Sequence, residues 1–147
     1  MNKNQELTEL MIGLFPLLDR LFVKPFENLA RSCVTNTQLR VLFILNRSGK
    51  ITMSELARRL DISKQQVTSV IDGLVQIGYV ERIFTQEDRR KIEIEIAPKA
   101  LEFIQQMKQK MGAVCSRYYE QLTQEETEVL WKDVKEVEGL IHKMLDE

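Results

Sequence analysis

Residues 51–82 read ITMSELARRLDISKQQVTSVIDGLVQIGYVER. Met53, Leu56, Ala57 and Leu60 fall at i, i+3, i+4 and i+7, the spacing that gathers four side chains on one face of a short helix ending before Asp61. After the turn Asp61-Ile62-Ser63, a second amphipathic helix turns Val67, Val70, Ile71 and Leu74 inward, and Gly78 suits its C-terminal stop. The outward positions of that second helix are Lys64, Gln65, Gln66, Thr68, Ser69 and Asp72, mostly short polar groups.

Downstream, TQEDRRKIEIEI at 85–96 alternates Ile92, Ile94 and Ile96 with Glu93 and Glu95, the two-residue period of a half-buried strand. YVERIF at 79–84 is rich in strand formers and predicts its antiparallel partner, which puts Arg89 and Arg90 near a hairpin tip. Helix, three-residue turn, helix and hairpin in that order predict a winged helix-turn-helix. Upstream, residues 36–46 are apolar nearly all round and predict a central helix buried on more than one side.

Helix starts carry capping-box spacing at Thr35 with Gln38, Thr52 with Glu55, Ser63 with Gln66 and Thr123 with Glu126, and Pro98 suits a first helical position. The flanks are helical with longer apolar repeats. Leu7, Leu10, Leu14, Leu17 and Leu21 form one stripe, broken by Pro16 and Pro25, where a kink or break is expected. Leu101, Ile104, Met111, Cys115, Tyr118 and Leu122 form a second, with Lys108 as the exception, and Leu130, Val134, Val137, Ile141 and Met144 a third. The fold expected is therefore mainly α: an N-terminal dimerisation helix in 1–34, the winged helix-turn-helix with its β-hairpin wing in 35–97, and C-terminal dimerisation helices in 98–147.

At 147 residues with 44% apolar and 29% charged residues, the chain can bury a core, and wholesale disorder is excluded. There is no apolar run of 18 residues and no signal-peptide pattern, which predicts a soluble cytoplasmic protein with no membrane partner. The net charge is −1, yet residues 47–91 hold nine Lys or Arg against six Asp or Glu, so positive charge gathers around the wing. Gln can pair with adenine in two places, and Ser or Thr can reach bases or phosphates from a helix in a major groove. A guanidinium on a projecting hairpin can enter the narrow, negative minor groove. Candidate DNA contacts are thus Ser63, Lys64, Gln65, Gln66, Thr68, Ser69, Arg89, Arg90 and Lys91, with Ser54, Arg58 and Arg59 as phosphate contacts. Asp88 reads as an orienting partner for a neighbouring arginine or for the turn backbone, or as an ordinary turn aspartate.

No phosphate loop or nucleophile motif occurs, and His142 is the sole histidine, so no catalytic site, metal site or cofactor is expected. Cys33 and Cys115 lie too far apart for a close metal pair and are expected as reduced thiols; either could act as a redox sensor if accessible, Cys115 reading more as core.

Over essentially its full length the chain resembles the MarR family of bacterial transcriptional regulators. The stretch quoted above carries the resemblance, together with DRR at 88–90, which fits the family's Asp-x-Arg wing signature as Asp88 and Arg90. The resemblance implies a homodimer with interlocked terminal helices, a recognition helix in the major groove and a wing arginine in the adjacent minor groove. It implies double-stranded DNA as partner, an inverted-repeat operator, and repression relieved by a small-molecule effector or an oxidant. Half-site centres would lie about one helical turn, roughly 34 Å, apart. An effector pocket between the dimer helices and the DNA-binding lobe would draw on Met11, Phe15, Phe22, Phe43 and Tyr118, each of which reads first as a core residue. Ser69 and Gly73 stand where relatives often carry arginine, so the recognition helix is expected to make fewer phosphate or guanine contacts than usual; Ile96, Ala97 and Ala100 replace the Leu-Thr and glycine that commonly follow the wing, and these departures bear on the operator sequence more than on the fold. A winged-helix module that binds protein is the alternative reading; salt-sensitive binding to DNA separates the two.

Overall fold

Residues 2–88 and 90–145 are described by the computed structural model. Their order is α1 (Lys3–Leu18), a π-helical segment (Asp19–Val23), α2 (Lys24–Ala30), α3 (Asn36–Ser48), β1 (Ile51–Thr52), α4 (Met53–Leu60), α5 (Lys64–Gln76), β2 (Val80–Phe84), β3 (Ile92–Ile96), α6 (Pro98–Tyr119) and α7 (Gln124–Leu145). The chain divides into two compact units, one ending at Met111 and one beginning at Gly112. No described helix is long and apolar enough to cross a membrane.

In the first unit the helix starts are set by short side chains bonded to their own backbone. Thr35 and Gln38 exchange side-chain bonds at 3.2 and 2.9 Å, and Ser63 and Gln66 do so at 3.1 and 2.9 Å, each pair satisfying two otherwise orphaned amides. Asn2 and Gln5 make a further box at α1. The box expected at Thr52 is only half formed. Thr52 accepts from the Glu55 amide at 3.2 Å, but the Glu55 carboxylate does not return the bond, because guanidinium donors on the next turn outcompete a neutral amide.

Pro16 lies inside α1, which runs on to Leu18, and the interruption expected at Pro25 takes the form of a π turn before it, not a break. Backbone angles stay right-handed through Asp19 and Lys24, and the Lys24 amide reaches back five residues to the Asp19 carbonyl. A proline ring presses on the carbonyl four residues before it; for Pro25 that residue is Leu21, inside the wider π turn, which makes room.

Leu42, Leu45, Leu56, Val67, Ile71, Leu74 and Ile94 are all fully buried, so α3, α4, α5 and β3 share one core. The helix α3 is buried on a broad face through Leu39, Val41, Leu42 and Leu45, while Phe43 stays exposed. At its end α5 closes with the Tyr79 amide on the Leu74 carbonyl at 2.9 Å and Gly78 on Val75 at 3.0 Å, Gly78 taking φ +78°. The hairpin pairs Val80 with Ile96, Arg82 with Ile94 and Phe84 with Ile92. A third strand, β1, pairs Ile51 with Ile94, giving an antiparallel sheet in the order β1-β3-β2. Two residues are too few to show a period, so it was not readable from the sequence.

The apolar stripe expected along α6 is buried at Ile104, Met111 and Cys115, and differs at the Leu101 and Lys108 places. Ala100, Phe103, Ile104, Met107, Met111 and Cys115 are buried, whereas Leu101 and Lys108 are exposed. Phe103 packs on Tyr79, ring centroids 5.2 Å apart, and that contact selects the face; Met107 fills the place that Lys108 left anomalous. In the second unit α7 begins with the Thr123–Glu126 box, at 3.1 and 2.8 Å, and buries no residue of its own.

Candidate nucleic-acid interface

The helix α5 presents Ser63, Lys64, Gln65, Gln66, Thr68, Ser69 and Asp72 to solvent. They are not equally available. Ser63 and Gln66 spend one acceptor each on the cap, and the Thr68 hydroxyl donates to the Lys64 carbonyl at 2.8 Å. Lys64, Gln65 and Ser69 make no side-chain hydrogen bond among the described residues, which leaves their full donor and acceptor capacity outward.

The wing is tied to this helix by an ion pair that the sequence did not suggest. Arg82 of β2 donates through Nη2 to Asp72 Oδ1 of α5. In the turn, Asp88 Oδ1 accepts from the Arg90 amide at 2.9 Å, its carbonyl accepts from the Lys91 amide at 2.9 Å, and Thr85 Oγ1 donates to the same carbonyl at 3.0 Å. The carboxylate therefore binds turn backbone, an Asx turn that shapes the tip. Arg90 and Lys91 are exposed, and Arg90 has no ion pair among the described residues. Arg89 lies outside the described residues.

On α4, Glu55 gathers the two arginines that follow it. Arg58 donates through Nε at 2.9 Å and Nη2 at 2.6 Å, and Arg59 through Nε at 2.9 Å while its Nη1 reaches Ser48 Oγ at 2.6 Å. The hydrogen bonds from Arg58 first, and then Arg59, bring the Glu55 carboxyl down to about 2. Glu55 sits three and four residues before its partners, a spacing visible in the sequence but not used there. Arg58 remains largely exposed, Arg59 half-buried, and Ser54 is exposed.

A profile of the MarR family matches residues 34–91. The HTH-type transcriptional repressor MdtR of Bacillus subtilis is 27% identical over 123 residues, 84% of this chain and 79% of that one. The multiple antibiotic resistance protein MarR of Salmonella typhimurium is 30% identical over 113 residues, 76% of this chain and 74% of the relative. The chain belongs to the MarR family. Membership sets it among regulators and not enzymes. A mutant MarR from E. coli complexed with operator DNA has the same fold, with a TM-score of 0.57 at 25% identity over 90% of this chain and 93% of that one.

Within this MarR family chain, Gly73 has a packing reason. A Cβ there would come within 2.6 Å of Gln38 Nε2, and the same Gln38 amide supplies the oxygen that caps Thr35. A larger side chain at 73 would push the end of the flexible Gln38 side chain aside, at the expense of its bond to the Thr35 amide. Of the residues expected to line a pocket, Phe22 and Phe43 border a cleft of about 330 Å³ together with Phe26, Leu39 and Arg40. Met11 and Phe15 do not border it and are exposed on α1; Tyr118 belongs to the second unit. Cys33 is exposed, its thiol 3.7 Å from Ser32 Oγ, and Cys115 is buried.

Proposed function

We propose that the protein is a sequence-specific DNA-binding transcriptional regulator, acting as a homodimeric repressor that a small molecule releases. One observation carries the reading: α5 offers Lys64, Gln65 and Ser69 with unspent hydrogen-bonding capacity, clasped through Asp72 and Arg82 to a wing that ends in exposed Arg90. Lys64, Gln65, Thr68 and Ser69, with Ser63 and Gln66 at the helix start, meet base edges and phosphates in a major groove. Arg90, with Arg89 and Lys91, enters the neighbouring minor groove, and Asp88 holds the turn in shape for it. Ser54, Arg58 and Arg59 meet phosphates from α4. In this division 35–97 binds DNA, while 1–34 and 98–147 form the dimer. The operator complex of the E. coli relative supports the DNA partner, and the name of MdtR supports repression.

The cleft beside Phe22, Phe26 and Phe43 is the effector site in this reading: its size and apolar walls suit a small organic molecule, with Glu27, Asn36 and Arg40 as the polar groups that orient it. Among thiols, exposure favours Cys33 over buried Cys115 as a redox alternative. A peroxide titration of DNA binding by Cys33→Ser tests that alternative, which fails if the variant still releases.

Selecting bound fragments from the source genome should recover inverted repeats with half-site centres roughly 34 Å apart. On such a duplex Arg90→Ala should weaken binding and lower the slope of log K against log salt by about one, with the dimer intact. Absence of salt-sensitive binding to any fragment rejects the regulator reading, and an unchanged Arg90→Ala titration rejects the role of the wing.

A further inference from the structure

The wing carries a side chain that the folded chain leaves in water at a chemical loss. Phe84 closes β2 and is 65% exposed, opposite half-buried Ile92. Side chains alternate along a strand, so Phe84 shares a face with Val80 and Arg82. Val80 is buried in the core and Arg82 reaches Asp72 on α5, so this face of the wing looks toward the recognition helix. Ile92, opposite, still packs against the core, but Phe84 itself stays in solvent on the hairpin that leads to Arg90.

We propose that Phe84 is a further DNA contact, an apolar wedge that packs its ring against the sugar and base edges of the minor groove that receives the wing. The inference rests on the regulator reading above and adds a contact that is not electrostatic. Two arguments choose duplex over protein as the occupant. Arg82 is spent on Asp72, but the partner strand opposite the ring is entered through exposed Arg90 and Lys91, cations that suit a polyanion, whereas the core of a protein interface is depleted of charge. A phenylalanine covers about 150–250 Å², far below the roughly 800 Å² that each partner of a stable protein complex buries, while one apolar side chain is enough to act as a wedge in a minor groove.

The test uses full-length protein and an inverted-repeat duplex recovered by the genomic selection. Phe84→Ala should weaken binding about tenfold while leaving the salt slope, the melting temperature and the molecular mass in solution unchanged. Phe84→Tyr should restore most of the affinity. The proposal is overturned if Phe84→Ala binds as the wild type does, if its salt slope drops by one, or if it changes the oligomeric mass while DNA binding persists. A wild type that holds no duplex sinks the regulator reading itself, an outcome distinct from a wild type and a Phe84→Ala variant that bind alike.

Discussion

Glu55 is where local charge decides local structure. Its backbone amide completes the Thr52 cap, but its carboxylate turns to Arg58 and Arg59, because charge-assisted bonds are roughly twice as strong as neutral ones. The arginine bonds hold the folded-state carboxyl below its ordinary value, so the stabilisation they bring is complete above the unfolded value, about 4.3, and is lost as pH falls toward 2. Raising the pH above neutrality leaves it untouched. The carboxyl carbon signal of Glu55 should therefore titrate with a midpoint at about 2, and return to the ordinary range when both arginines are replaced by alanine. A wild-type midpoint near 4 would show that the clamp does not form in solution. Gly73 teaches a related lesson at the same scale: a position that reads as a lost DNA contact is a close approach between α5 and the cap of α3.

Among the elements, α5 depends on its start. Ser63 terminates the turn after Asp61, whose left-handed backbone at φ 52° lets the Ile62 amide reach the Ala57 carbonyl at 3.2 Å. Ser63→Ala removes an N-cap and half of a box, and should cost about 1 kcal/mol, read as a lower urea midpoint with an unchanged slope. Amide exchange at Gln66 should quicken in the same variant; an unchanged midpoint would mean that tertiary packing alone positions the helix. The boxes at Thr35, Ser63 and Thr123 were legible because each is closed within four residues. On the buried face of α6, Ile104, Met111 and Cys115 were legible, but Phe103 was not, because its partner Tyr79 lies some twenty residues upstream.

For the whole molecule the largest unbalanced term is apolar surface. Leu10, Leu14 and Phe15 on α1, and Trp131, Val134 and Val137 on α7, are exposed, and neither helix has a buried residue. Stripes of this extent are what the proposed dimer would cover. If the homodimer forms as proposed, Val134→Glu, which sets a charge in the middle of the α7 stripe, should halve the mass measured by sedimentation. It should also weaken binding to an inverted repeat by a hundredfold or more, since one wing and one helix then act alone on one half-site. A Val134→Glu protein with unchanged mass would remove α7 from the interface.

What the sequence by itself determined was most of what closes over short range: the boxes at Thr35, Ser63 and Thr123, the helical and strand periods, the hairpin, and the order that makes a winged helix-turn-helix. Those features follow from a side chain and its own backbone, or from which residues share a face, and both are set by spacing alone. Only the tertiary structure decided the two-residue strand β1, the clasp between Asp72 and Arg82, the closeness of Gly73 to Gln38, the meeting of Phe103 on α6 with Tyr79, and the exposure of Phe84. Each of these joins or separates groups ten or more residues apart, and their meeting depends on how whole elements pack, a property that no local pattern of residues carries.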